Sequence, residues 1–489
     1  MSYETIIGLE VHAQLLTKSK MFCHCSADYA SALPNTHVCP VCLGMPGVLP
    51  TINQQAIEYT IMTALALNCT ISDYTRFDRK NYPYPDLMKG YQISQSYAPI
   101  GHHGWLAIEV DGKEKKVGMA NVHLEEDVAK LVHRTSPDGE AYSLVDVNRS
   151  GVPLMEIVGE PDLRSPEEAR QYLVKLRSIL QYLGVSTANM EEGSFRCDAN
   201  ISIRPENSTD FLPKVEVKNM NSFKAVYLAL EYEAKRQRKL AEEGKKLIQE
   251  TRGWVGEKGK TVAQRSKEYA HDYRYFPEPD LPPLVLNRER VEAIRARLPE
   301  LPEARRDRFV SEYSLPLYDA SLLTSSKPMA DYFEACMKLP HNDLRLKHAK
   351  PIANWIIGEF TRLLNSTNTD VGFMGKKISP EQLYSLIRLI ESGAVSGLNA
   401  KEVFEEMFNS ARTAQEIINE KGLTQISDTR QLEETVASVI NSNAQAVADY
   451  KAGKKQSLKF LIGQVMRKTG GRANPGLVNE LLEKKLKEA

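Results

Sequence analysis

Ile6-Ile7-Gly8-Leu9-Glu10-Val11-His12 carries the alternation of an extended strand near the start of the sequence. Read as an extended strand, its period of two puts Ile7, Leu9 and Val11 on one face, and Glu10 and His12 together on the other. Such a strand packs through one side and offers chemistry on its reverse. The pattern returns in Val122-His123-Leu124-Glu125-Glu126-Asp127, where His123, Glu125 and Asp127 align. Further strands add Asp146 and Asn148, then Glu156, then Arg196, Asp198 and Asn200, then Lys214, Glu216 and Lys218.

Short strand-like runs separated by turn signals fill the chain from Glu4 to about Asn219: ETIIGLEVHAQL, WLAIEVDG, KVGMANVHLEED, YSLVDVN, LMEIVGEPD, RCDANISIRP and KVEVKN. Together they predict one large, mainly antiparallel sheet. Helices interrupt it at Ser165–Leu183, where Ser165 caps a first turn of Pro166, Glu167 and Glu168, and at about Ser222–Ala241. Beyond the turn-rich YFPEPDLPPL the periodicity becomes helical, with runs at Met329–Met337, Pro351–Leu364 and Pro380–Ile390. A second set follows at Thr413–Glu420, Thr429–Asn441, Leu458–Thr469 and Asn474–Lys487. The expected fold class is α+β, with a sheet domain over 1–292, a helical domain over 293–408 and a small helical tail domain over 409–489.

With 489 residues, 42% hydrophobic and 26% charged, the chain has room for several cores. It has neither a signal-like leader nor a membrane-length apolar run, so a soluble, cytoplasmic protein is expected. The net charge of zero hides an asymmetry, because residues 451–489 carry ten Lys or Arg against three Glu. That basic tail is either a solvated face or a phosphate-contacting surface.

Four of the seven cysteines cluster as Cys23-x-Cys25 and Cys39-x-x-Cys42, with thirteen residues between the pairs. Two close-spaced thiol pairs on separate turns are what tetrahedral zinc requires, and four thiolates leave no open position, so such a zinc is structural. His24 and His37 compete as ligands, and redox-active or unligated thiols are the alternative.

For any single strand, a carboxylate-bearing face is explained by simple solvation. Many such strands together are uneconomical for a plain core, since unpaired buried charges cost several kcal/mol. Carboxylates with one imidazole suit magnesium or manganese, and interspersed Arg and Lys suit the phosphates those ions accompany. The segment Arg79-Lys80-Asn81-Tyr82-Pro83-Tyr84-Pro85 is a basic, aromatic loop able to hold a nucleotide or an aminoacyl end, though Tyr and Pro also serve in ordinary turns. P-loop, dinucleotide-fold, HExxH and kinase signatures are missing from the sequence. Ser325-Ser326-Lys327 reads as a turn rather than an amidase fragment.

As whole strings, IIGLEVHAQL, VCLGMPGVLP, FDRKNYPYPDLMKGYQISQ, VHLEEDVAK, DVNRSGVPLMEIV, EEGSFRCDANIS, EVKNMNSF, DYRYFPEPDLPPL and ANPGLVNELL resemble the B-subunit family of the heterotrimeric aspartyl/glutamyl-tRNA amidotransferases. The resemblance implies a cradle-shaped sheet domain distantly like that of glutamine synthetase, then a helical and a tail domain. It also implies an ATP-dependent carbon–nitrogen ligase. The side-chain carboxylate of Glu-tRNA(Gln) or Asp-tRNA(Asn) is phosphorylated, then amidated by ammonia from a partner amidase, the A subunit, in a complex that also holds a small C subunit. By position it implies Glu10, His12 and Glu125 as metal ligands and catalytic groups, with Glu126, Glu156, Asp198 and Glu216 as further shell members. Arg79, Lys80, Tyr82 and Lys218 would meet ATP or the acyl phosphate. Magnesium or manganese would be the catalytic ion, Cys23, Cys25, Cys39 and Cys42 would hold zinc, and Lys454, Lys455, Lys459, Arg467 and Arg472 would contact the tRNA. Two rival readings remain: a ligase acting on a free small acid, which has no use for a basic tail, and a non-catalytic RNA-binding scaffold, which should avoid an acidic face.

Overall fold

The computed structural model describes residues 2–206, 208, 212–266, 273–341, 344–425 and 429–488. They divide into two compact units, 1–301 and 302–489. The first extends to Leu301 because the helix Arg288–Arg295 buries Val291 and Ile294 in the core of the sheet unit.

The first unit is built on a 12-stranded sheet. Its principal strands are β1 (Tyr3–Gln14), β2 (Asp78–Asn81), β3 (Tyr91–Ser94), β4 (Gly101–Val110), β5 (Lys113–Glu126), β6 (Pro153–Gly159), β7 (Phe195–Pro205), β8 (Val215–Lys218), β9 (Glu250–Val255), β10 (Lys260–Ser266) and β11 (Phe276–Pro277). The order is β10-β9-β8-β7-β1-β6-β5-β3-β2-β11, with β4 pairing the far half of β5. Neighbours run antiparallel except β8 and β9, so the expected α+β class with a mainly antiparallel sheet holds. The sheet continues past Asn219 into β9 and β10, where Thr251 and Thr261 take buried positions.

Ile7, Leu9 and Val11 are buried on the face covered by helices α1 (Gln54–Ala66), α2 (Pro166–Leu183) and α3 (Phe223–Glu242). Each contributes about 1.5–3 kcal/mol of burial free energy. Helix α2 begins as the sequence predicts: the Ser165 side chain accepts from the Glu168 N–H, Pro166 opens the first turn, and Gly184 closes it at φ 67°. Asp146 and Asn148 lie outside the sheet. Asp146 ends a two-stranded hairpin with Lys130–Thr135, and both residues bind the backbone of the 33–37 loop, at Asn35, His37 and Leu33. The expectation that they share the carboxylate face is therefore corrected: a tight turn at Val147–Arg149 redirects them.

The second unit is helical. One core gathers Phe309, Phe333, Phe360 and Phe404, and another gathers Leu432, Val436, Leu461, Val465 and Leu482 from the tail helices. Helix Arg345–Trp355 keeps Pro351 in its interior and passes into a π-helical turn at Ile356–Phe360, so the expected run Pro351–Leu364 starts earlier and is not regular. No helix among the described residues is long and apolar enough to cross a membrane.

Candidate active site

The strand register assembles the site. His12 on β1 pairs with Glu156 on β6, and Glu156 pairs with His123 on β5, forming one cross-strand row on the face opposite the helices. His123 Nε2 lies 3.1 Å from Glu156 Oε2, and His12 Nε2 lies 3.5 Å from the same oxygen. Glu125, two residues along β5, sits 3.6 Å from His123. Its carboxylate accepts from Ser94 Oγ at 2.7 Å and from Gln92 Nε2 at 3.1 Å, with Lys80 Nζ at 4.0 Å.

Electrostatics follow from this packing. Burial alone would neutralise both imidazoles, but Glu156 and Glu125 outweigh it, raising His12 and taking His123 up to about 10. Burial would likewise raise Glu125 and Glu156. Lys80 and His123 hold Glu125 low, and the two imidazoles hold Glu156 well below the carboxylate range. Glu10 behaves differently: burial, then repulsion from Glu156 and Asp198, raises its carboxyl, which accepts from Asn200 Nδ2 at 2.7 Å.

His12, Glu125 and Glu156 bring one ligand atom each within 4.8 Å of one another. An octahedral ion with bonds near 2.1 Å places opposite ligands roughly 4.2 Å apart, so a small hard cation fits this set after minor adjustment. The other clustered donors are Cys23, Cys25, Cys39 and Cys42, again within 4.8 Å. The Cys39 and Cys42 sulfurs are 3.9 Å apart, close to the roughly 3.8 Å edge of a zinc–thiolate tetrahedron with 2.3 Å bonds. Hydrogen bonding from Cys23 draws the Cys42 thiol down to about 4, whereas burial pushes Cys25 up to about 11. The Cys42 sulfur and burial raise the Cys23 thiol as well, so it is the gathering of four sulfurs, rather than their titration, that suits a thiolate-bound ion.

Other sequence-predicted residues distribute around this row. Asp198 and Glu216 share Lys218, at 2.6 and 3.1 Å, further along the same face. Lys80 lies over the Tyr273 ring at 5.1 Å, and Tyr82 stacks edge-on against Tyr273. Arg79 and Glu126 are not brought to the cluster. Alternation turns Arg79 to the reverse face, where it forms a two-pronged bond to Glu278 and stacks over Tyr91 at 4.3 Å. Glu126 turns the same way, pairing with Lys89 and accepting from Ile93 N–H at 3.0 Å. Lys454, Lys455, Lys459, Arg467 and Arg472 are all exposed, Lys459 and Arg467 on the helix Gln456–Lys468 and the other three in the turns that flank it.

Sequence reasoning had aligned His123 with Glu125 but did not place it among the ligands. It also passed over Gln92, Ser94, Tyr273 and Tyr275. Gln92 and Ser94 are neutral and carry no charge pattern, and Tyr273 meets Lys80 only across the long separation between β2 and the segment before β11.

Residues 5–292 match the model of the GatB/GatE catalytic domain, and residues 331–486 match that of the GatB domain. The chain belongs to the GatB/GatE family. It is 59% identical over 488 residues to the B subunit of an aspartyl/glutamyl-tRNA(Asn/Gln) amidotransferase from Dehalococcoides mccartyi, covering 99% of both chains. Proteins of the same name from Carboxydothermus hydrogenoformans and Thermomicrobium roseum are each 54% identical, over 99% and 100% of this chain and 99% of their own lengths. The carboxylate–imidazole row thus lies inside the portion that matches the GatB/GatE catalytic domain.

Proposed function

We propose that this chain is the carboxylate-activating component of a glutamine-dependent, tRNA-dependent amidotransferase. The observation that carries the reading is the row His12–Glu156–His123, partly buried at His12 and Glu156 and buried at His123, with the buried Glu125 beside it. Such a concentration of charge on a sheet face serves the handling of phosphate and a divalent cation better than it serves folding.

The substrate is the side-chain carboxylate of Glu-tRNA(Gln) or Asp-tRNA(Asn), which is inert towards ammonia because its leaving group would be oxide. One carboxylate oxygen attacks the γ-phosphorus of ATP, the bond to the β-phosphate oxygen breaks, and ADP leaves. Ammonia then attacks the acyl carbon, phosphate departs, and a proton is lost to give the amide. His12, Glu125 and Glu156, with Glu10 nearby, would hold magnesium or manganese, which would supply charge neutralisation for the transferring phosphoryl group. Lys80 and Lys218, both held as cations by neighbouring carboxylates, face the same side and stabilise phosphate oxygens. Asp198 and Glu216 orient Lys218. The cysteine quartet holds zinc in a structural role, and the exposed tail cations meet tRNA phosphates.

Ammonia reaches the chain from the partner amidase, the A subunit, with the small C subunit completing the heterotrimer, in the cytoplasm. The sheet unit, which ends at Leu301, carries activation, and the helical residues beyond it carry tRNA binding. Reconstitution with both partner chains tests the reading: mischarged tRNA should be amidated with glutamine or ammonium as donor, only with ATP and a divalent ion. Glu125→Gln should abolish phosphorylation of the aminoacyl group and leave tRNA binding nearly intact; equal loss of both would refute the assignment.

A further inference from the structure

The cross-strand row does not end at His12. Opposite His12 on β7 stands Arg196, so a guanidinium continues the line Glu156–His12 on the same face, its Cβ roughly 5 Å from that of His12. Arg196 donates from Nη2 to Asp127 Oδ2 at 2.8 Å. Among the described residues it makes no other hydrogen bond or ion pair, and its side chain keeps 36% of its accessible surface.

Asp127 fixes the angle of that guanidinium. Its carboxylate is buried and also accepts from Gln14 Nε2 at 2.6 Å and from the Val128 N–H at 2.8 Å, with Arg149 Nε at 3.7 Å. Gln14, two residues beyond His12 on β1, is held in turn by the Tyr29 hydroxyl at 2.9 Å. A guanidinium carries its N–H groups in a rigid planar fork that matches a carboxylate edge to edge. With Nη2 turned to Asp127, a second edge remains, and it can take another carboxylate through two parallel bonds. The other cations near the row are engaged differently. Lys218 lies between Asp198 and Glu216, Arg149 donates to the Val128 and Ala129 carbonyls, and Lys80 stands against Glu125 with a compact ammonium in place of a fork.

We propose that Arg196 reads the side-chain carboxylate of the aminoacyl group, by a two-pronged hydrogen bond from the guanidinium edge that Asp127 leaves free. The inference rests on the tRNA-dependent reading given above and adds the residue that tells substrate from product. The α-carboxyl of a charged tRNA is esterified, so the side chain carries the only carboxylate of the amino acid. Glu10, Glu125 and Glu156 repel it, and a fixed cation one strand from His12 offsets that repulsion where the chemistry begins. Amidation replaces one carboxylate oxygen by an NH2 group. That group is a donor and meets the guanidinium N–H donor to donor, so one prong is lost together with the charge attraction. The same contact therefore grips the acid and lets the amide go.

The test uses the full complex assembled with both partner chains and two stable probes: tRNA(Gln) carrying glutamate, or glutamine, through an amide link at its end. In magnesium and without nucleotide, the parent should bind the glutamyl probe at least about tenfold more tightly than the glutaminyl probe. Arg196→Gln should raise the glutamyl Kd about tenfold and leave the glutaminyl Kd within about twofold. Arg196→Lys, which keeps a charge opposite Asp127, should raise the glutamyl Kd about threefold and retain part of the preference. A parent complex without the preference overturns the proposal. So does an unchanged glutamyl Kd in folded Arg196→Lys, or an equal loss of both probes, the mark of a merely structural role. Weakened ATP binding with the preference intact would assign Arg196 to phosphate instead, which also overturns it. If the parent complex amidated no mischarged tRNA even with ammonium, the tRNA-dependent reading itself would fall, and this inference with it.

Discussion

His123 and Glu156 face one another across an antiparallel strand pair, Nε2 to Oε2 at 3.1 Å, with Glu125 closing the third side. The imidazolium is thus the counter-ion of two carboxylates, Glu125 buried and Glu156 partly so, and its Nδ1 is 2.7 Å from Asn121 Oδ1. Removing one partner of a buried ion pair leaves the other uncompensated, typically at about 3–5 kcal/mol. His123→Gln should therefore lower the melting temperature of the metal-free protein, and magnesium should restore part of the loss by replacing the missing positive charge. Thermal unfolding with and without magnesium measures both; a loss that magnesium does not reduce would argue against a cation site at Glu125 and Glu156.

The cysteine quartet should release about one zinc ion per chain on thiol modification, read with a chromogenic chelator. Cys42→Ser should abolish that release and increase hydrogen exchange across residues 30–50, while amides of α2 stay protected. Manganese binding at the carboxylate row should persist, because the two donor sets share no residue.

In the helical unit, Asp331 receives Arg305 at 2.7 Å and Lys327 at 2.9 Å. Burial raises its carboxyl, but the hydrogen bonds from Lys327 and Arg305 prevail and hold it below the ordinary 3.8. A lowered folded-state value means that the stabilisation is fully present above that ordinary value and disappears as pH falls through the folded one. Asp331→Asn should thus cost less than about 1 kcal/mol at pH 7, given the half-exposed side chain, and the difference from the parent should close below pH 4. Urea unfolding at several pH values would show whether the two curves converge.

The tail cations should act through charge. Lys459→Glu and Arg467→Glu should each weaken tRNA binding without regard to the attached amino acid, and each should reduce the slope of log K against log salt by about one. Filter binding across a salt series gives the slope. An unaltered slope would return these residues to the role of a solvated face.

Much of the site was readable because a sheet has a fixed period. Alternation along β1 separated Leu9 from Glu10, and the same rule on β5 aligned His123 with Glu125. It could not show which strands are neighbours, so the row His12–Glu156–His123 emerged only from the register. The same rule assigns Arg79 and Lys80 to opposite faces, but a motif read as one basic, aromatic loop hid that. Asp146 and Asn148 were misplaced because a turn of three residues at Val147 ends the alternation. Strands β9 and β10 were missed because buried Thr251 and Thr261 look polar in sequence, although Thr261 and Arg252 satisfy one another. The helix cap at Ser165 was legible because capping is local.

The position of β1 in the sheet order bears on how the protein is made. It lies between β6 and β7, so its two backbone edges wait for Pro153–Gly159 and Phe195–Pro205. At ribosomal speeds the first of these partners emerges roughly ten to thirty seconds after β1 does. Throughout that interval Ile7, Leu9 and Val11 are an apolar strand with open edges on a nascent chain, a form that invites pairing with the wrong neighbour. The strand that brings His12 to the chemistry therefore also passes through synthesis with both edges open to mispairing.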